Sequence, residues 1–207
     1  RVIATDLSKE MVEVARRKAR RMGLDNLEVR EMDAQALAFP DASFDGATCR
    51  FGLMFCPDPV RAASEVRRVL KSGGRFALAV WDVPAKNPFF TSLGDVIAKF
   101  VSTSPPDPKA PGVFRLAPPG ELEGVLRAAG FREIMVEPRP MTLSYASPQE
   151  YWQIQTDLAA PLKAAIATLG PDDLARLKAA VLEAIAPHVL AGGVRFNSVP
   201  LCASAVK

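Results

Sequence analysis

The sequence predicts an α/β protein built on an open, doubly wound and mostly parallel sheet. Three observations lead to this prediction. Short apolar runs alternate with amphipathic segments through residues 1–82. The amphipathic segments are bounded by residues that favour helix termini. The run RFALAVW at residues 75–81 is apolar almost throughout, which is typical of a strand covered by helices on both faces.

The first part of the chain supplies the predicted elements of this sheet. Strands are predicted at residues 2–5, 27–31, about 45–50 and 75–81. The first helix is predicted to begin after Ser8, a favourable N-cap, and to end at Gly23. The second is predicted to begin at Asp58-Pro59 and to end at Gly73-Gly74. The sequence therefore predicts strand and helix in alternation.

The pattern changes after residue 82. Residues 84–101 look helical in part, and residues 102–119 contain six prolines, which is typical of a surface lid or linker. A helix from Gly120 to Ala129 and a single bent strand over FREIMVEPRPMTLSY are predicted next. Further helices and a last strand are predicted at about residues 147–186 and 197–207.

Composition argues against several classes of protein. Hydrophobic residues make up 49% of the chain, but no stretch approaches the length of a membrane span. The net charge is only +3, and the basic run RRKARR is read as the solvated face of one helix, so no nucleic-acid partner is predicted. The cysteines, Cys49, Cys56 and Cys202, lack metal-ligand spacing and are predicted to be reduced, buried thiols of a cytoplasmic protein.

Two acidic residues follow neighbouring strands of the predicted sheet. Asp6 ends the first strand and Asp33 follows the second, so both carboxylates are expected at one edge, where open sheets bind ligands. Asp6 is suited to accept from both hydroxyls of a ribose, and Asp33 to accept from an exocyclic amine such as that of adenine. The alternatives are that Asp6 only steadies a helix dipole and that Asp33 only forms an Asx turn.

Several motifs in a fixed order resemble one enzyme family. The acidic strand end at Asp6 is followed by Asp33-Ala34, by the turn FPDASFD, by RFGLMFCPDP and by RVLKSGGR before the next strand. This string resembles the class I S-adenosylmethionine-dependent methyltransferases, in the branch similar to the ubiquinone and menaquinone biosynthesis enzymes. The resemblance is dense over residues 1–82 and thinner beyond.

The resemblance implies a particular architecture. It implies a Rossmann-like sheet whose last strand runs antiparallel, with a helical lid or insertion. Three segments are expected: a cofactor-binding core at 1–82, a variable lid or linker at 83–119, and the remainder of the core at 120–207 with a helical insertion at about 147–190. The cofactor implied is S-adenosylmethionine, and the reaction is methyl transfer to a small molecule.

One expected motif of that family does not occur in these 207 residues, namely the glycine-rich loop DxGxGxG that follows the family's first strand. The resemblance puts that strand at the centre of the sheet, between the strands at Val2 and Ala47. An open sheet does not leave out its middle strand, because two rows of backbone groups would lack partners. We therefore expect a strand–loop–helix unit of roughly 30 residues upstream of Arg1, so that the sequence given is a fragment.

The resemblance also implies site residues. Cofactor contacts are expected from Asp6, Leu7, Asp33, Ala34, Arg50 and Phe51. An apolar or aromatic acceptor is expected against Met54, Trp81, Phe89, Phe90 and Trp152, with Phe114 and Tyr151 as further candidates. The alternative is that these aromatic side chains are ordinary core.

No catalytic residue is predicted, because methyl transfer from a sulfonium mainly needs the acceptor to be aligned and dry. His188, the only histidine, is expected to have a surface or capping role. No metal is predicted. Two other functions stay open: a non-catalytic binding domain of this fold, and a nicotinamide-dependent oxidoreductase. The second would need a Tyr-x-x-x-Lys dyad or similar, which Tyr145 and Tyr151 do not provide.

Overall fold

The computed structural model describes residues 1–101, 107 and 109–207. The predicted proline-rich loop therefore lies partly outside the described residues, at 102–106 and 108. The chain divides into two compact units. Unit 1 comprises residues 1–80, 111–137 and 202–207, and unit 2 comprises residues 81–110 and 138–201.

The start of the chain shows the predicted alternation of strands and helices. The end of the chain contains more strands than the sequence predicted. The strands are β1 (Val2–Asp6), β2 (Leu27–Glu31), β3 (Phe44–Arg50), β4 (Leu70–Trp81), β5 (Arg132–Pro138), β6 (Met141–Tyr145), β7 (Val189–Leu190), β8 (Gly193–Ser198) and β9 (Pro200–Val206). The helices are α1 (Lys9–Arg21), α2 (Pro59–Val69), α3 (Pro88–Phe100), α4 (Glu121–Ala128), α5 (Pro148–Leu158), α6 (Ala160–Thr168) and α7 (Pro171–Ala184). Short 3₁₀ turns lie at Leu53–Phe55, Pro84–Lys86 and Ala186–His188.

The sheets of unit 1 confirm the mostly parallel α/β class. β1 pairs in parallel with β2, and β3 pairs in parallel with β4 in a sheet of order β3-β4-β9-β5. The end of β9 lies beside the starts of both its neighbours, because Lys207 N donates to Gly74 O at 3.0 Å and Arg132 donates to Lys207 O at 3.0 Å. The last strand therefore runs antiparallel to β4 and β5, as the resemblance implied.

Among the described residues, no hydrogen-bonded ladder joins β1 to β3. The further strand that the resemblance implied would lie between β1 and β3 in the strand order. That strand and its glycine-rich loop stay a prediction.

The prediction that Gly73-Gly74 end the second helix was wrong. α2 ends at Val69, and Gly73-Gly74 lie within β4, where the pairing jumps from Phe44–Leu70 to Gly46–Arg75. The intervening residues bulge out of the ladder. Gly73 has a positive φ of 74°, and a Cβ on Gly74 would lie 2.9 Å from Lys71 O, so glycine is required by the bulge rather than by a helix end.

Unit 2 contains a sheet that sequence patterning missed. β6 and β7 pair antiparallel with β8, in the order β6-β8-β7. Residues 131–145 therefore form two strands in different sheets, not one bent strand, because Pro138 and Pro140 interrupt the chain between them. Likewise, the predicted last strand at 197–207 is divided at Val199 between β8 and β9.

The core of unit 2 lies where α3, α5, α6 and α7 meet this sheet. Its buried members include Leu93, Tyr151, Leu177, Val194 and Phe196. Alternate residues of β8 are buried, which is the period expected of a strand with one covered face.

Two further observations concern the whole described chain. The three cysteines are free, but each is partly exposed, so the prediction that they are buried was wrong. No helix in the described part of the chain is long and apolar enough to cross a lipid bilayer.

Candidate functional site

The two acidic residues lie at one edge of the β1–β2 pair. In the parallel register Asp6 stands opposite Glu31, and Met32 N donates to Asp6 O at 2.9 Å. Asp33 follows two residues beyond Glu31. Because the strands are parallel neighbours, Asp6 at the end of β1 and Asp33 just after β2 lie at the same edge, as predicted.

Asp6 links the end of β1 to the start of α1. Its Oδ1 accepts from Ser8 N at 2.8 Å, while Ser8 Oγ accepts from Met11 N at 3.2 Å and caps the helix. Asp6 is exposed, and the neighbouring Leu7 is 70% exposed. One carboxylate oxygen thus fixes the turn, and the exposed side chain still offers the other oxygen to a ligand.

Asp33 forms the Asx turn that sequence reasoning left open. Its Oδ1 accepts from Gln35 N at 2.8 Å, and the Gln35 side-chain amide lies 3.4 Å from both carboxylate oxygens. Asp33 and Ala34 are both half-buried. The turn holds the carboxylate in place without excluding a second partner.

Helix α2 holds the loop that follows Asp33 along its length. Arg61, Glu65 and Arg68 lie on one face of the helix. Arg61 donates to Gln35 O at 3.0 Å, Glu65 accepts from Leu37 N at 2.9 Å, and Arg68 donates to Leu37 O at 2.7 Å. The loop backbone is thereby tied to a regular element.

Charge strengthens this attachment. Arg68 also donates to Glu65 at 2.8 Å, and this contact holds the pKa of the Glu65 carboxyl below its ordinary value. Sequence reasoning missed Glu65 and Arg68 as supports of the site. The available signal was their helical spacing on α2, which lies next to the loop.

The end of β3 carries Arg50 and Phe51. Phe51 has a positive φ of 56°, which is uncommon for a residue with a side chain, and its N donates to Ala79 O at 2.9 Å. The Arg50 guanidinium lies 5.7 Å from the centre of the Phe51 ring. The chain therefore turns sharply just beyond the carboxyl end of this strand.

The segment after Phe51 is held by residues distant in sequence. Met54 is buried, and its carbonyl accepts from Gly112 N at 3.1 Å. Arg115 donates to Cys56 O and, at 3.0 Å, to Pro57 O. Sequence reasoning did not identify Arg115, because one arginine in a proline-rich loop gives no periodic signal.

Three aromatic candidates of unit 2, namely Trp81, Phe89 and Phe90, form one cluster. The rings of Trp81 and Phe90 lie 5.0 Å apart, and those of Phe89 and Phe90 lie 4.7 Å apart, both edge to face. Phe89 also contacts Tyr145 and Tyr151 at 6.2 and 6.1 Å. Burial raises the pKa of Tyr145 to about 12 and that of Tyr151 further, so both phenols are neutral at ordinary pH.

The remaining candidates are distributed over both units. Tyr151 is fully buried in the core of unit 2, as the alternative interpretation of the aromatics proposed. Trp152 is half-buried beside Lys178, whose Nζ lies 5.9 Å from its ring. Met54 and the half-buried Phe114 belong to unit 1. The half-buried His188 ring packs against Phe196, a member of the unit 2 core, at 4.4 Å.

A buried polar turn follows Trp81. Asp82 accepts from Val83 N and from Lys86 Nζ, both at 2.7 Å. Asn87 is fully buried and bridges this turn to Val199, accepting from its N–H at 3.0 Å and donating to its carbonyl at 3.2 Å. The turn fixes Trp81 at the carboxyl end of β4. Among the described residues, no cluster of three or more His, Cys, Asp or Glu residues is arranged to hold a metal ion.

Comparison with known proteins identifies the first part of the chain. A family model described as "Methyltransferase domain" matches residues 1–78. The uncharacterized methyltransferase YcgJ of Bacillus subtilis is 46% identical over 76 residues, which are 37% of this chain and 30% of that protein. The crystal structure of YcgJ superposes with a TM-score of 0.62 and 23% identity, over 99% of this chain and 81% of that one, which shows a shared fold.

Two relatives have named activities. Phosphatidylethanolamine N-methyltransferase of Cereibacter sphaeroides is 36% identical over 103 residues, covering 49% of this chain and 50% of that protein. Demethylmenaquinone methyltransferase of Deinococcus radiodurans is 31% identical over 144 residues, covering 63% of this chain and 58% of that protein. The chain thus spans about half the length of these two relatives. Residues 1–78 are therefore similar to the methyltransferase domain, and the chain has the Rossmann-like α/β fold of S-adenosylmethionine-dependent methyltransferases.

Proposed function

We propose that the protein transfers a methyl group from S-adenosylmethionine to a small, apolar or aromatic acceptor. The observation that carries this proposal is the position of Asp6 and Asp33, at the end of β1 and just after the end of its parallel neighbour β2, at one sheet edge. The methyltransferase-domain match over residues 1–78 includes both residues. The cytoplasmic location expected from the cysteines is part of the same proposal.

Asp6 and Asp33 would hold the two ends of the adenosine. The exposed Asp6 carboxylate is suited to the ribose hydroxyls, since it keeps an oxygen beyond the one bonded to Ser8 N. Asp33 would accept from the adenine amine, and the small side chain of Ala34 leaves the backbone N–H accessible to a ring nitrogen. The cofactor surface would be completed by Leu7, just after β1, and by Arg50 and Phe51 at the end of β3.

The chain's own contribution to the reaction is binding and orientation. The bound cofactor supplies an electrophilic methyl group on a sulfonium, and the acceptor supplies the electron pair. Holding the reacting atoms at about 3 Å and in line is worth several kcal/mol of the barrier. The edge-to-face cluster of Trp81, Phe89 and Phe90 would offer the acceptor an apolar surface and exclude water from it.

The identity of the acceptor does not follow from the relatives. Their names point to acceptors as different as a phospholipid amine and a quinone precursor, and acceptor choice in such folds depends on residues outside the shared core. The aromatic cluster of unit 2 favours an acceptor with an apolar or aromatic body.

Ligand-induced stabilisation of the full-length protein tests this proposal. S-adenosylmethionine and S-adenosylhomocysteine, each at about one hundred times its dissociation constant, should each stabilise the fold by about 2.7 kcal/mol. NAD should leave the melting temperature unchanged. Stabilisation by NAD alone would favour the oxidoreductase. Stabilisation by S-adenosylmethionine without methyl transfer to any member of a panel of apolar acceptors would favour a non-catalytic binding domain.

A further inference from the structure

A cleft on unit 2 lies between the end of α3 and the first turns of α7. Its volume is about 480 Å³, within the range of small-molecule pockets. The lining residues are Lys99, Phe100, Leu169, Asp173, Arg176 and Ala180. None of them belongs to the candidate methyl-transfer site, so we call this separate cleft the α3–α7 cleft.

The floor of the α3–α7 cleft is apolar. Phe100, Leu169 and Ala180 are half-buried and pack from outside against the hydrophobic core of unit 2. The outer surfaces of these three side chains line the cleft. A ligand with an apolar body would cover this surface and gain about 25 cal/mol for each Å² removed from water.

The rim of the cleft carries charges from both helices. Lys99 on α3 is exposed, and its ammonium has no hydrogen-bond or ion-pair partner within the described residues. Arg176 on α7 donates to Asp173 at 2.9 Å, and its guanidinium lies 5.9 Å from the centre of the Phe100 ring.

Two cations and one carboxylate leave the cleft with one net positive charge. The Arg176 guanidinium carries five N–H donors, and the contact with Asp173 uses only one of its nitrogens. An anionic group between Lys99 and Arg176 would therefore find free donors on both sides. Among the described lining residues, Asp173 is the group that opposes it.

We propose that the α3–α7 cleft binds a small amphiphilic carboxylate, with its apolar body on Phe100, Leu169 and Ala180. The carboxylate lies between Lys99 and Arg176. A neutral molecule of the same shape leaves the Lys99 charge uncompensated and binds more weakly. A free acid is the occupant, because the rim offers a single net charge rather than the broad basic surface that an anionic membrane requires.

Titration calorimetry of the full-length protein with 2-naphthoate tests this site, and 2-naphthalenemethanol is the neutral comparator. The naphthoate should bind at least about tenfold more tightly than the alcohol, a factor equivalent to 1.4 kcal/mol. Lys99→Gln and Arg176→Gln should each weaken naphthoate binding by about fivefold to tenfold. Both residues are exposed, so the melting temperature should stay near that of the wild type.

Two more variants complete the design. Asp173→Asn removes the opposing carboxylate and should strengthen naphthoate binding several-fold, which a purely structural role would not do. Lys163→Gln removes an exposed charge on α6 that does not line the cleft, and it should change nothing.

Three results would overturn the proposal. The first is equal affinity for naphthoate and the alcohol, or no binding of naphthoate at millimolar concentration. The second is equal loss of affinity in Lys163→Gln and Lys99→Gln. The third is tight binding to phosphatidylglycerol vesicles, lost in Lys99→Gln, without binding of free naphthoate. The measurement needs no S-adenosylmethionine, so its failure would leave the methyl-transfer proposal standing.

Discussion

The Asp6 side chain has a role in the fold and a proposed role in ligand binding. Its Oδ1 fixes the turn into α1 through Ser8 N, and the exposed carboxylate is left facing the edge beyond β1. Either role was plausible from the sequence. A carboxylate has two oxygens, so the two roles are compatible.

The change Asp6→Asn separates these roles. Asparagine keeps a carbonyl oxygen for Ser8 N, so the melting temperature should change little. It loses the charge, and a hydrogen bond to a charged group is worth about 1.5–3 kcal/mol, so S-adenosylmethionine affinity should fall roughly 10- to 150-fold by calorimetry.

The exposed Asp25→Asn is the matched control, because it lies in the turn before β2, away from the carboxyl edge. Similar affinity in Asp6→Asn and Asp25→Asn would contradict the assigned role of Asp6.

The buried hydroxyl of Ser198, unlike the Asp6 carboxylate, has no hydrogen-bond partner among the described residues. The residue is 1% exposed. An unpaired buried hydroxyl costs about 1–3 kcal/mol, so Ser198→Ala should raise the free energy of unfolding by about 1 kcal/mol or more. Denaturant titration measures this, with the exposed Ser144→Ala on β6 as the control. A loss of stability in Ser198→Ala would show that the hydroxyl has a partner.

At the scale of elements, α2 is the support of the candidate cofactor loop. Its first turn bonds Gln35, its middle bonds Leu37, and Arg68 near its end bonds Leu37 and Phe39. The loop thus depends on a helix that is not predicted to touch the ligand. Its sequence pattern predicted the helix well, because capping by Asp58-Pro59 and apolar spacing are local signals.

Glu65→Gln tests this support through its pH dependence. The folded-state pKa of Glu65 lies below its ordinary value near 4.5, so its contribution is present above that value and is lost as pH falls through the folded pKa. The variant should therefore be less stable than the wild type at pH 7, by about 1–2 kcal/mol. The difference should shrink as the pH falls below about 4.5. A difference independent of pH would mean that the Glu65 charge does not matter.

At the scale of the whole molecule, the two units differ in how far the sequence predicted them. The elements at the start of unit 1 have local sequence signals, namely helix caps, periodic apolar faces and polar residues at strand ends. The order of these elements and the position of the two acidic residues were therefore predicted from the sequence. Unit 2 depends on pairing between β6 and β8, whose registered residues Met141 and Ser198 lie far apart in sequence. The pattern of one segment does not show which distant segment it pairs with, so the three-stranded sheet was missed.

The residues of the candidate site also differ in whether the sequence could predict them. Asp6 and Asp33 were found because each follows a recognisable strand. Arg115 and Asn87 were not, because they act through contacts with distant backbone groups, Cys56 and Pro57 for one and Val199 for the other. Contacts of this kind appear only once the chain has folded.

In our proposal, adjacent strands β1 and β2 hold one adenosine between Asp6 and Asp33. A crystal structure of the full-length protein with S-adenosylhomocysteine tests this proposal. We expect the ribose hydroxyls within about 3.2 Å of the Asp6 carboxylate and the adenine amine within the same distance of Asp33. An adenosine bound elsewhere, or one that contacts neither carboxylate, would contradict it.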